Sequence, residues 1–297
     1  MGSKEAISEQ RKSIVEQIIS DMQDHGFDWV RPWSSHMMQQ NACSGHVYTG
    51  GNRLHLAYVS RQRGYDDPRW CTYHQAQERG WQVRKGAKSA AIEKWKLCHT
   101  AKDGGEGEEP TIISYPVLVG AWRVFNAGDI DGIPELGNPD IDHVEDGSAP
   151  VIEAVKASSR CPIVENASID QAAYSPLRDI VKMPPQKTFS SDESYLRTLL
   201  HEMTHSTSVV FGRDLHSGFF SESYAFEELI AELGSVFASS DLGLGCADVD
   251  SRHYQNHVAY LQSWVSALQG DPAFLFRAAS KADEATAYLM ARYEELR

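Results

Sequence analysis

The sequence has no apolar run approaching the roughly 18 to 20 residues that a membrane-crossing helix needs. Its start, MGSKEAISEQRK, contains no apolar stretch of the kind a secretory leader uses, and position 6 is Ala6 where a myristoylation signal carries Ser or Thr. A cytoplasmic protein with no membrane partner is therefore expected. Cysteine is sparse: Cys43, Cys71, Cys98, Cys161 and Cys246 are scattered, odd in number and never in CxxC spacing, which speaks against a disulfide framework or a thiolate zinc site. No internal repeat is visible. With 41% hydrophobic and 23% charged residues among 297, the composition is that of a globular chain with room for two domains.

Positive charge is scarce as well, and the net charge of -13 argues against nucleic-acid binding only if it is spread evenly. It is not. Residues 1–130 hold 16 Lys+Arg and 15 Asp+Glu, a net of +1, which leaves 12 and 26, a net of -14, for residues 131–297. Within the first half, residues 29–102 carry 12 Lys+Arg against Asp66, Asp67, Glu78 and Glu93, a net of +8. A basic segment is thus embedded in an acidic protein.

The periodicity divides the chain. Ile7, Ile14, Ile18 and Met22 predict an amphipathic helix from Glu5 to Gly26, packing on the first domain. A second helix is expected from about Asn52 to Gly64, and a third from Thr72, whose hydroxyl and Gln75 resemble a capping box. Two β-prone runs follow, Ala90–Cys98 and Thr111–Phe125, joined by an exposed loop at 102–109. The stretch from Asn126 to Ala149 shifts to Gly, Pro and Asp and reads as a linker. Beyond it, a helix at 151–158, short strands near 161–164 and 180–183, and then helical patterns run to the end. The expected fold class is α+β: an N-terminal domain over 1–128, a linker at 129–149 and a helix-rich domain over 150–297.

The chemistry concentrates at residues 201–205, HEMTH. Tyr195, Leu196, Leu199, Leu200 and Met203 place it on a helix, with Ser190 and Glu193 as a capping box upstream. One turn apart, His201 and His205 share a face and can reach one metal ion, while Glu202 is turned about 100° away and can act on a water beside it. Further on, YAFEELIAELG has an apolar face of Phe226, Leu229, Ile230, Leu233 and Phe237, with Glu228 and Glu232 one turn apart on another. The arrangement resembles the gluzincin pattern of thermolysin-type peptidases, which implies Glu228 as third ligand and Glu232 as the carboxylate orienting His201. Glu227 is an alternative ligand and His216 a weaker competitor. The metzincin pattern fails, because its further Gly and His positions are Ser208 and Phe211. Such a site implies zinc, one ion per chain, with manganese able to substitute. Glu202 is then general base, and Tyr174, His216 or Tyr224 the stabiliser of the transition state.

Six of seven tryptophans, Trp29, Trp33, Trp70, Trp81, Trp95 and Trp122, fall in the first 122 residues among Arg31, Arg53, Arg61, Arg63, Arg69, Arg84, Lys85 and Lys88. Rings on which bases stack and cations that follow phosphates are the means of binding single-stranded nucleic acid. The expected contacts are Trp33, Arg53, Trp81, Arg84, Lys85 and Lys88, with WQVRKGAKS at 81–89 as the sharpest segment.

RPW at 31–33, GGNRLHL at 50–56, RWCTYHQAQERGWQVRKGAKS at 69–89, LLHEMTH at 199–205, YAFEELIAELG at 224–234 and the tail 261–289 together resemble the ArdC family of antirestriction proteins. The resemblance implies an N-terminal domain that binds single-stranded DNA and a C-terminal zincin-like metallopeptidase domain. It also implies protection of incoming conjugative plasmid DNA from the recipient's restriction enzymes. Three readings follow: a metallopeptidase acting on a protein, such as one of the restriction machinery; a DNA-coating protein with a structural or inactive metal site; and a replication or repair accessory protein. Glu202, which is not a ligand, favours the first.

Overall fold

The computed structural model describes residues 3–26, 29, 38–102, 111–136, 149–215, 222–244 and 257–296. Helix α1 spans Ser3–His25 and buries Ile7, Ile14, Ile18 and Met22, the residues that recur at helical spacing. Helix α2, Gly50–Arg63, ends at Gly64 in the left-handed conformation. Helix α3, Tyr73–Glu78, opens with the expected box: Thr72 accepts from Gln75 N, and the Gln75 side chain accepts from Thr72 N. The main N-terminal sheet has the order β1 (Gln40–Asn41), β2 (Arg69–Thr72), β5 (Thr111–Asn126), β4 (Ala90–Lys102), with β1 and β2 parallel and the other pairs antiparallel. Strands β4 and β5 form a long hairpin arm with a bulge between Lys94 and Trp95. Most of the expected loop at 102–109 lies outside the described residues.

The start of the expected linker belongs to this fold. Ile130–Asp131 forms β6 and pairs with β3, Gln82–Val83, while Asn126 Nδ2 donates to Asp67 O at 2.7 Å. Residues 137–148 lie outside the described set. Beyond them come α4 (Ala149–Ser158), a sheet of order β7 (Ile163–Glu165), β9 (Ile180–Met183), β8 (Ala173–Ser175), then α5 (Asp192–Ser206), α6 (Ser208–Phe211), α7 (Glu222–Asp241), α8 (His257–Gly270) and α9 (Ala273–Glu295). Helix α5 is capped by Ser191, which accepts from Ser194 N, one residue later than the expected Ser190.

The two halves share a core. Ile14, Ile18, Met22, Trp29 and Leu54 bury themselves with Leu229, Phe237, Trp264, Phe274 and Leu275. Helix α1 packs on the first domain as expected, beside Leu54 and Ala57, but its apolar stripe also meets the C-terminal helices, and removing each such side chain from water contributes about 1.5 to 3 kcal/mol. Contact between α2 and α9 needs glycine, since a Cβ on Gly51 would lie 2.7 Å from the Phe276 ring. A second core, with Leu196, Leu199, Leu200 and Met203 against Val181, Met183 and Leu289, supports α5 from its other side.

Candidate metal centre

Helices α5 and α7 cross where Gly234 meets Thr204, whose side-chain atoms would lie 2.7 to 2.8 Å from a Cβ on the glycine. This close approach brings HEMTH and the acidic face of α7 together. His201, His205 and Glu228, all buried, each offer a ligand atom within 4.8 Å of the others. Glu228 faces both Nε2 atoms, with Oε2 at 3.5 Å from His201 and Oε1 at 3.6 Å from His205.

Each imidazole turns its Nδ1 to a second carboxylate. His201 Nδ1 is 3.6 Å from Glu232 Oε2, and His205 Nδ1 is 3.2 Å from Glu227 Oε1. Those carboxylates are gripped in turn: Arg197 donates to Glu232, and Arg213 donates to both oxygens of Glu227, at 2.9 and 3.1 Å, and to Thr204 O at 2.8 Å. The expected role of Glu232 thus has a geometry, while Glu227 stands behind His205 rather than in the ligand set. Arg197 and Arg213 went unnoticed in the sequence; a spacing of 35 residues from Arg197 to Glu232 carries no local signal.

Burial pulls the His201 pKa down, but Glu228 and Glu232 outweigh it and leave the group at about 9. His205, opposed by burial but drawn up by Glu228 and Glu227, stands at about 10. Burial pushes the Glu228 carboxyl up, and the two imidazoles overturn this and hold it well below the carboxylate range. Arg197 and Arg213 answer the charges of Glu232 and Glu227, so with neutral imidazoles the negative charge of Glu228 is left to a cation. Two imidazole nitrogens, a carboxylate and that charge balance fit a divalent cation.

Glu202 takes no part in this ring. Its Oε2 accepts from Tyr174 N on the edge strand β8 at 2.6 Å, and burial raises its pKa against the pull of His201 and His205. Tyr174 meets the centre through its backbone only, for its hydroxyl donates to Asp179 Oδ1 at 2.8 Å. This answers one candidate stabiliser. Tyr224 is half-buried against the shared core, and His216 lies outside the described residues.

The expected DNA contacts separate. Arg53 is a correction: it is 1% exposed, over the Phe237 ring, and its guanidinium donates to Asp241 at 2.7 Å, Asp283 at 3.2 Å and Phe237 O at 3.3 Å. A cation buried in that way joins the two halves and cannot meet phosphate. Arg84 is exposed but bonded to Asp131 at 2.7 Å and Gly128 O at 2.9 Å. Lys85 and Lys88 are exposed, Trp81 is half-buried under Arg79, and Trp33 lies outside the described residues. Trp29 and Trp70 are core residues, whereas Trp95 and Trp122 are 48% and 52% exposed on the hairpin arm.

Residues 150–281 match the family of zincin-like metallopeptidases, the class to which this pair of helices and its acid–imidazole cluster correspond. Residues 8–125 match the N-terminal domain of anti-restriction factor ArdC. Crystal structures of the antirestriction ArdC protein from plasmid R388 superpose with a TM-score of 0.71. The metal-free form is 32% identical over 97% of this chain and 98% of that one, and the Mn(II)-bound form 31% identical over 97% and 99%. An uncharacterised protein, y4eC of Sinorhizobium fredii (strain NBRC 101917 / NGR234), is 31% identical over 95% of this chain and 92% of its own length. A DNA primase TraC of Escherichia coli is 32% identical over 94% of this chain, which spans only 20% of the primase. The chain belongs to the ArdC family of antirestriction proteins, with an N-terminal ArdC domain followed by a zincin-like domain. Among the described residues, no helix is long and apolar enough to cross a membrane.

Proposed function

We propose that this protein binds single-stranded DNA through residues 1–128 and carries a metal-dependent peptidase site in residues 150–297, on either side of the stretch 129–149, to protect incoming plasmid DNA from restriction. The observation that carries the peptidase part is Glu202, buried beside the ligand set yet bonded to none of it. A purely structural metal site has no use for it.

His201, His205 and Glu228 would hold the ion, zinc by donor type, with manganese, the ion bound in one of the R388 ArdC structures, as the alternative. When bound, the ion supplies Lewis acidity that polarises a scissile carbonyl and eases ionisation of a water. Glu232 and Glu227 fix the imidazoles with Nε2 inward. Glu202, raised in pKa by burial, accepts the proton of the attacking water and delivers it to the leaving amine. The net negative charge of residues 131–297 leaves most phosphate contacts to the N-terminal half, where Lys85 and Lys88 are exposed. Elemental analysis tests the role assignments: the intact protein and Glu202→Gln should each hold about one divalent ion per chain, and His201→Ala none. A Glu202→Gln variant as metal-free as the histidine variant would overturn them.

The primase relatives favour one other reading, a DNA-handling accessory module for replication. It predicts an equal effect on plasmid transfer whether or not the recipient restricts DNA.

A further inference from the structure

A cavity of about 580 Å³ opens at the junction of the two halves, between α1, the start of α2, strand β4 and helix α9. Trp95 forms part of its wall, as do Arg11, Phe276 and Ser280. The Trp95 ring is half exposed, yet its orientation is fixed: Nε1 donates to Glu93 Oε2 at 2.9 Å. Glu93 in turn takes two bonds from Arg11 at 2.7 Å each, and Asn52 bonds both the N–H and the C=O of Glu93. Arg11 lies 4.7 Å from the centre of the Phe276 ring and 6.0 Å from that of Trp95. An exposed indole held in one orientation by a buried carboxylate is a costly way to build a surface and a good way to present a stacking platform.

The cavity lining itself is mixed in charge, with Glu93, Asp283 and Glu284 beside Arg11 and Arg277, and the unmixed cations lie on the arm next to it. Lys94 and Lys96 flank Trp95, and Lys94 stands 4.7 Å over the ring of Trp122, which is also half exposed. Arg277 also lines the cavity, with its guanidinium bonded to Asp271 at 2.7 Å. Cations interleaved with open aromatic rings complement a phosphodiester strand with unstacked bases, and the hydroxyls of Thr49 and Ser280 can donate to or accept from a base edge. The volume is that of a small-ligand site, sufficient for one nucleotide.

We propose that a single-stranded DNA chain crosses the arm at Trp122 and Lys94 and inserts one unpaired base into this cavity, stacked on Trp95. The inference rests on the DNA-binding reading above and moves its centre from the 81–89 turn to the domain junction. Because Ser280 and Phe276 come from the zincin-like domain, the strand touches both halves.

The test measures anisotropy of a labelled oligo-dT against the full-length protein, with 2-aminopurine placed along a second oligonucleotide to report stacking. Trp95→Ala and Ser280→Trp, the latter filling the cavity from α9 without removing a cation, should each weaken binding about tenfold, the scale of one lost stacking contact. Trp95→Phe should restore most of the affinity, and 2-aminopurine should be quenched by the intact protein at one position and not by Trp95→Ala. If the intact protein binds and both variants bind as tightly with unchanged quenching, the cavity is not the site, although the protein still binds DNA. If the intact protein itself does not bind, the DNA-binding reading fails and the proposal falls with it.

Discussion

Glu227 and His205 are bonded, Oε1 to Nδ1 at 3.2 Å, and the pair mirrors Glu232 behind His201. Adjacent glutamates therefore have opposite duties: Glu228 faces the two inward nitrogens, and Glu227 aims one of them. Glu228→Gln should abolish binding of a divalent ion, while Glu227→Gln or Arg213→Ala should weaken it by about 10- to 100-fold with the stoichiometry kept. Isothermal titration separates the outcomes, and a Glu227 variant that loses the ion outright would exchange the two roles.

Metal uptake should depend on pH in one direction. With His201 at about 9 and His205 at about 10 in the metal-free protein, both imidazoles are protonated near neutrality and must lose their protons to ligate. Apparent affinity therefore rises from pH 6 to pH 9. The metal-free protein behaves oppositely: its raised histidines stabilise it fully below the unfolded value near 6.5, and that contribution fades as pH rises through 9 and 10. The gain in melting temperature on adding metal should thus be larger at pH 8.5 than at pH 6.

Arg53→Ala should behave as a stability variant. It strips Asp241 and Asp283 of a buried partner, for an expected loss of about 3 to 5 kcal/mol in unfolding free energy. The surviving folded fraction should keep the salt dependence of DNA binding, because no phosphate contact has gone. By contrast, neutralising Lys85 and Lys88 together should flatten that salt slope and leave the melting temperature nearly unchanged.

Residues 1–130 expressed alone should not give a cooperative unfolding transition. Ile14, Ile18, Met22, Trp29 and Leu54 would lose their cover from α7, α8 and α9. A sharp melting curve for that fragment would show that the core formed with β4 and β5 by Tyr48, Leu56, Trp70 and Val124 suffices.

The HEMTH helix was legible in the sequence because helical spacing alone puts two imidazoles on one face, and the capping box at Thr72 because its reach is three residues. Both are local. The partners of Glu227 and Glu232 were not legible, since Arg213 and Arg197 reach them only after α5 and α7 cross. Arg53 misled for a related reason: a cation beside aromatics reads alike on a DNA-binding surface and at a buried junction, and only Asp241 and Asp283, far along the chain, decide between them. The same holds for α1, whose apolar stripe was plain while the helices it covers were not. Trp95 and Trp122 stood in the sequence among six similar residues, and their exposure depends on the sheet that carries them.

The claim that matters most is that Glu202 does chemistry. Plasmid transfer into restricting and non-restricting recipients tests it directly, with the donor supplying either the intact protein or Glu202→Gln, the latter verified to fold and to hold its metal. The expected result is that the intact protein rescues transfer only into the restricting recipient and that Glu202→Gln does not. Full rescue by metal-loaded Glu202→Gln would contradict it and leave DNA coating as the source of protection.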